Sequence, residues 1–252
     1  MESILPAGLG EWAALGLVAL SFLTSLITAT FSLGGGSLMI IAMTLVMPPV
    51  VVVPVHGCVQ LGSNVGRAFT LRDHIQWSFI LWVTLGGVIG SVIGGRFAYM
   101  IPERLFSALI GCFVLATTWL PQPKFITGSR AVQFVGGLVV SAVGMVVGAA
   151  GPLIAAFVRG LPDRRQLVAT HATLNSLQHV LKVAVFVAMG FAFRQYLPLI
   201  AAMVMADSPA RQVGSRLLMH VPEQVFRLTF RILLSVAAAS LIWRALAYHP
   251  HN

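Results

Sequence analysis

Apolar runs of helical length, separated by short polar breaks, fill the chain almost from end to end. A membrane-spanning helix needs roughly 20 mostly apolar residues. Stretches at about 12–33, 52–71, 75–100, 104–121, 131–148, 167–190, 195–218 and 225–247 meet that need. Two further apolar stretches, 37–47 and 152–161, are too short to span. Each follows a Gly-rich break, Gly34-Gly35-Gly36 in one case and Gly148 with Gly151 in the other. Each also ends at proline or charge, at Pro48-Pro49 and at Pro162-Asp163-Arg164-Arg165. Backbone interrupted in this way is tolerated at membrane depth only where protein or a wet cavity satisfies its polar groups. The pattern predicts an all-α, polytopic membrane helical bundle of about eight spanning helices plus two Gly-broken short segments.

The two breaks occupy matching places in an internal repeat. At an offset of 115 residues His56 falls on His171, Gln60 on Asn175, Asn64 on His179 and Arg67 on Lys182. Gly36-Ser37-Leu38 then falls on Gly151-Pro152-Leu153. Further on the offset becomes 120: Gly94-x-Arg96 meets Gly214-x-Arg216, and Pro102-Glu103 meets Pro222-Glu223, with Phe106 over Phe226. The chain therefore divides into a first membrane repeat, 1–125, and a second, 126–252, within one integral membrane domain. If 12–47 and 131–161 form re-entrant hairpins, each half crosses three times and the halves are inverted. If each break interrupts a single span, the halves are parallel. Hairpins would gather Arg72, Lys124, Arg130, Arg164, Arg165 and Arg216 on one side, and that arrangement is favoured.

Composition agrees. Only 9% of the residues are charged and 58% are hydrophobic, against about 25% charged in an ordinary soluble domain; the mean hydropathy is +0.90. A soluble enzyme, a disordered chain and a disulfide-stapled secreted chain are excluded. The net charge of +9 comes from basic residues scattered singly between apolar runs, as cytoplasmic loop anchors are, so no nucleic-acid partner is expected. Cys58 and Cys112 sit in apolar surroundings without metal-ligand spacing, and neither metal nor cofactor is expected. Glu2 and Glu11 precede the first apolar run, where a cleaved signal peptide would carry positive charge; the first helix is expected to stay.

Two constellations carry candidate chemistry. His56, Gln60, Ser63, Asn64 and Arg67 share one helix face, and His171, Asn175, Gln178, His179 and Lys182 repeat the stripe. Ionisable groups inside a membrane are costly and usually face the bundle interior or water. Two such stripes facing each other would offer an anion positive charge from Arg67 and Lys182 and directional donors from the amides and imidazoles. The bland reading is inter-helix hydrogen bonding with snorkelling cations. The second constellation is the breaks themselves, Gly34, Gly35, Gly36 and Ser37, and Gly148, Gly151 and Pro152. A helix starting there presents unpaired N–H groups and the positive end of its dipole, and Pro152 suits a first helical position. Asp207 is the acid placed well inside a span. Its bland reading is an ion pair with Arg211; its functional one is proton coupling, shared with His56 and His171.

The Gly-rich break, the short apolar run, the His-bearing polar helix and the Gly-x-Arg…Pro-Glu stretch, all duplicated, together resemble the TauE/SafE sulfite exporter (toluene-sulfonate uptake permease) family over about 12–247. Phe31-Ser32-Leu33-Gly34-Gly35-Gly36-Ser37 looks like the family's Gly-rich signature; the second copy has Ala149 and Ala150 where glycines are usual. The resemblance implies a transporter of sulfite, a sulfonate or a related organosulfur anion in a bacterial-type cytoplasmic (inner) membrane. Paired interrupted segments point independently to a transporter site at a repeat interface, worked by alternating access. An anion channel and a structural membrane protein without transport are the alternatives. An enzyme is not expected: Gly34-Gly35-Gly36-Ser37-Leu38 lacks the second glycine of a rhomboid Gly-x-Ser-Gly, and no His-Glu-x-x-His occurs. The expected partners are a small anion and membrane lipid, with homo-oligomerisation left open.

Overall fold

The computed structural model describes residues 6, 8–31, 34–120, 129–217 and 223–247, without the side chains of 29–31, 164, 208, 211–217 and 223–227. Among these, the secondary structure is helical throughout: α1 (Glu11–Phe31), α2 (Gly35–Val46), α3 (Pro49–Thr70), α4 (Trp77–Met100), α5 (Glu103–Trp119), α6 (Arg130–Val147), α7 (Gly151–Val158), α8 (Arg164–Ala188), α9 (Leu197–Leu217) and α10 (Glu223–Ala247). Short 3-10 turns, Arg72–His74 and Phe193–Tyr196, precede α4 and α9.

Local chemistry sets the breaks. Gly34 takes φ +101 ahead of α2, and Gly148 closes α6 in the left-handed region at φ +75, conformations that favour glycine. Extended Met47 and Pro48 end α2 and restart the chain as α3 at Pro49. Asp163 caps α8, its carboxylate accepting from Arg165 N at 3.0 Å. At 12 and 8 residues, α2 and α7 are only about 18 and 12 Å long at 1.5 Å per residue. Neither bridges a hydrocarbon core of about 30 Å.

Four helices among the described residues are long and apolar enough to cross a membrane: Glu11–Thr28, Trp77–Met100, Arg130–Val147 and Leu228–Ala247. The sequence pattern led to about eight. The others miss for identifiable reasons: α3 and α8 carry the polar stripes, α9 carries Asp207, Arg211 and Arg216, and α5 has 17 residues. The polar stripes are buried, with His56, Asn64, His171, Asn175, His179 and Lys182 at 5% exposure or less. A helix shielded by its neighbours does not need an apolar surface all round.

Side-chain registers give the relative directions. The middle of α3 meets the later part of α8, since the His56 and His179 rings lie 6.1 Å apart and Gly57 abuts the Lys182 stem. Arg67, near the α3 end, shares a cleft with His171, near the α8 start. The two helices therefore run antiparallel. In α4, Gly86, Gly90 and Gly94 lie directly on the α6 backbone at Phe134, Leu138 and Ala142, an ascending register that makes α4 and α6 parallel. Ser21 and Ser25 of α1 reach Met203 and Asp207 of α9 in the same ascending sense. Arg104 and Trp119 of α5 reach Ala245 and Ser235 of α10 in the descending sense. The core lies around α2 and α3, where Met39, Ile40, Ile41, Met43, Val52 and Val55 are almost fully buried.

Candidate functional site

The first half of the site is a stretch of α3 folded against the start of α2. His56 Nε2 lies 3.0 Å from the Gly36 carbonyl. A carbonyl only accepts, so this nitrogen carries the proton. One turn on, Gln60 stands beside Gly36, and its backbone carbonyl accepts from Asn64 Nδ2 at 2.7 Å. Asn64 Oδ1 in turn accepts from Arg67 Nη2 at 2.8 Å, and Arg67 Nη1 reaches the Thr28 carbonyl near the end of α1 at 3.4 Å. The guanidinium is thus held to α1 and α3 together.

The second half is built alike. His171 Nε2 donates to the Gly151 carbonyl at 3.1 Å, twenty residues back along the chain, as in the first half. With the proton on Nε2, His171 Nδ1 is free to accept, and Asn175 Nδ2 donates to it at 3.2 Å. In each half a histidine of the long polar helix fastens the first turn of the short helix that follows the break. The sequence offset matched these residues; the hydrogen bonds match as well.

Both constructions open on one cleft of about 420 Å3, counting its open mouth. Twelve of the residues singled out in the sequence line it: Gly34, Gly36, Ser37, His56, Gln60, Asn64, Arg67, Gly151, Pro152, His171, Asn175 and His179. Thr28, Ala149 and Ala150 join them. Nothing in the sequence marked Thr28, which has no polar counterpart at the repeat offset; Ala149 and Ala150 lie inside the second break and contribute backbone between its glycines.

Six of the residues singled out lie outside the cleft lining. Gly35 packs on α1, where a Cβ would strike the Thr24 carbonyl and the Thr28 hydroxyl. Gly148 is turned towards Ile40 and Val53. Lys182 is fully buried, with Nζ donating to the Gly148 carbonyl at 2.7 Å; it does not snorkel. Gln178 leaves the polar stripe to bond Ser141 on α6, accepting its hydroxyl at 2.6 Å, and Ser63 is buried in α3. Asp207 sits between α1 and α9, accepting from Ser21 Oγ at 2.9 Å, away from the cleft; the Arg211 side chain lies outside the described residues.

Among the described residues the cleft wall carries one full charge, Arg67, and no carboxylate. The first N–H groups of α2 and α7 have no intrahelical acceptor, and the positive dipole ends of both helices add to the guanidinium. Three imidazoles and the amides of Gln60, Asn64 and Asn175 complete a surface suited to an oxyanion rather than a cation. No group of three or more His, Cys, Asp or Glu fit to hold a metal occurs among the described residues. A second cavity, lined by Pro48, Pro49, Val53, Tyr99, Glu103 and Phe186 among others, lies towards the opposite ends of α3 and α8. Val53 packs against Gly148 between the two.

Neither the curated proteins nor the solved structures offer a significant match to this chain. The family comparison does: residues 17–241 match Sulfite exporter TauE/SafE. That span takes in both breaks, both polar helices and the whole cleft. The chain belongs to the TauE/SafE sulfite exporter family, a family of membrane transporters, and is a multi-pass membrane protein.

Proposed function

We propose that the protein is a secondary transporter for a small oxyanion, sulfite, a sulfonate or a related organosulfur anion, and that the cleft between the two breaks is its binding site. One observation carries this reading: two helix starts, each fastened by a histidine twenty residues on, converge on a cleft whose only full charge among the described residues is positive. A bound oxyanion would accept from the free N–H groups at Gly36 and Gly151, with Gln60, Asn175 and His179 as side-chain donors. Arg67 would raise its local concentration.

The halves 1–125 and 126–252 are read as inverted repeats of eight long helices and two short ones, α1–α2 and α6–α7 being the hairpins. The antiparallel α3–α8 and α5–α10 pairs and the parallel α4–α6 and α1–α9 pairs support a two-fold axis in the membrane plane. The same directions gather Arg72, Arg130, Arg159, Arg164, Arg165 and Arg216 at one end and leave Arg96, Arg104, Arg194 and Arg244 at the other. By the positive-inside rule the first end is cytoplasmic, and the membrane is the bacterial-type cytoplasmic one. Alternating access would then rock the hairpins against the α3–α8 pair, exposing the cleft to the cytoplasm and the second cavity to the far side in turn.

Uptake of radiolabelled sulfite and taurine into liposomes containing the purified protein tests the reading. Saturable uptake of either, competed by unlabelled oxyanion, is the expected result. Correctly inserted protein that moves neither, or flux that never saturates, contradicts a carrier for this substrate class.

A further inference from the structure

The repeat sets Arg67 and Lys182 at equivalent positions, yet they end in different surroundings. Each reaches back to a backbone carbonyl near the end of the first hairpin helix of a half: Arg67 to Thr28 on α1, Lys182 to Gly148 at the close of α6. Arg67 also lines the cleft. Lys182 has no exposure at all, and among the described residues its only hydrogen-bond partner is the Gly148 carbonyl, with no carboxylate near it.

The groups around Lys182 are those of a proton site. From α3 it meets Gly57, which leaves room for its stem, and His56, which feels its charge. From its own helix it meets His179, likewise within reach of its field. From α6 it meets the negative end of the helix dipole at Gly148. The Nδ1 atoms of His56 and His179 are both buried without a hydrogen-bond partner, and both rings line the cleft. Two imidazoles thus line the cleft within the field of Lys182, each with its Nδ1 unused. Arginine stays charged in any protein environment, whereas lysine exchanges its proton when buried. Gly148 is followed directly by Ala149 and Ala150, which form part of the cleft wall, so charge on Nζ bears on the cleft from behind.

We propose that Lys182 is the proton-binding site of the transporter: a proton loads on Nζ, by way of His179 or His56, when an anion occupies the cleft, and leaves when the anion leaves. One proton then accompanies each anion, and Arg67 supplies the charge that never titrates. The inference rests on the cleft being the anion site.

The test is proton uptake on anion binding by purified full-length protein in weak buffer, with sulfate and methanesulfonate as probes, since neither takes up a proton near neutrality. Wild type is expected to take up about one proton per anion, and its affinity to fall about tenfold for each pH unit across the range in which that proton loads, the linkage slope for one proton. Lys182→Arg, and Lys182→Met if the larger side chain does not fold, is expected to bind with no proton uptake and with affinity independent of pH. Anion binding by wild type without proton uptake, or unchanged proton uptake in the variant, overturns the assignment of Lys182 and leaves the cleft reading intact. Failure of wild type to bind either probe or sulfite overturns the cleft reading and this inference with it.

Discussion

Three adjacent glycines in the first break do three different jobs. Gly34 takes a positive φ, Gly35 lets α2 lie on α1, and Gly36 faces the cleft beside Gln60. A side chain at Gly35 is therefore a packing defect: Gly35→Leu should lower the yield of folded protein before any effect on transport is read, at a cost of about 1–3 kcal/mol or more for overpacking. Gly151 behaves differently. A Cβ there meets nothing closer than Asn175 Oδ1 at 3.7 Å, so Gly151→Ala should fold with an unchanged melting temperature. Its methyl would sit where an oxyanion meets the helix start, and sulfite affinity measured by thermal shift should fall about tenfold, or about 1.4 kcal/mol. The histidines are clamps as well as donors. His171→Phe removes the bond to the Gly151 carbonyl and should cost about 1–3 kcal/mol for the polar group left unpaired, visible as a lower melting temperature even without ligand. Of these roles the sequence disclosed the places and not the jobs: a glycine run shows where the backbone must be free, whereas which neighbour approaches is decided by α1, α3 and α10, far along the chain. Lys182 shows the same limit. Aligned with Arg67 it reads as a second cleft charge, and only packing reveals that Gly57 receives its stem and Gly148 its ammonium.

Among the helices, the α4–α6 pair is the tightest contact, and it depends on small residues at a four-residue spacing. Gly86, Gly90 and Gly94 bring the two backbones into direct touch, and Gly137 answers from α6 against Val83. In lipid, where apolar surface alone does not drive helices together, such close approach is what holds a pair. Gly90→Leu should therefore abolish recovery of monodisperse protein, while Gly16→Ala on α1, with nothing within 4 Å of its Cβ, should leave it unchanged; size-exclusion profiles compare the two. All ten helices were legible as apolar runs, with boundaries close to those found, because length and hydropathy act locally. The count of four by apolarity alone shows why the polar helices are harder to read. The buried stripes that lower the hydropathy of α3 and α8 are the same residues that build the cleft.

For the molecule as a whole, the antiparallel and parallel pairs leave the start of α1 and the end of α10 at one end and the end of α5 and the start of α6 at the other. With Cys58 and Cys112 replaced by alanine, single cysteines placed at Gln122 and at the C-terminus should label from opposite faces of sealed vesicles, the first from the cytoplasmic face. Labelling of both from one face would exclude inverted halves. Inverted and parallel halves are both open to the sequence, since an offset in residue number carries no direction; the inverted reading proposed above draws on the registers between helices. The central claim, that an oxyanion is carried through the cleft between the breaks, is tested most directly by uptake of radiolabelled sulfite into liposomes holding equal amounts of inserted wild-type or Gly151→Leu protein. The account predicts saturable uptake by wild type and none above background in the variant, whose side chain fills the cleft at the α7 start. Wild-type rates in Gly151→Leu would contradict it.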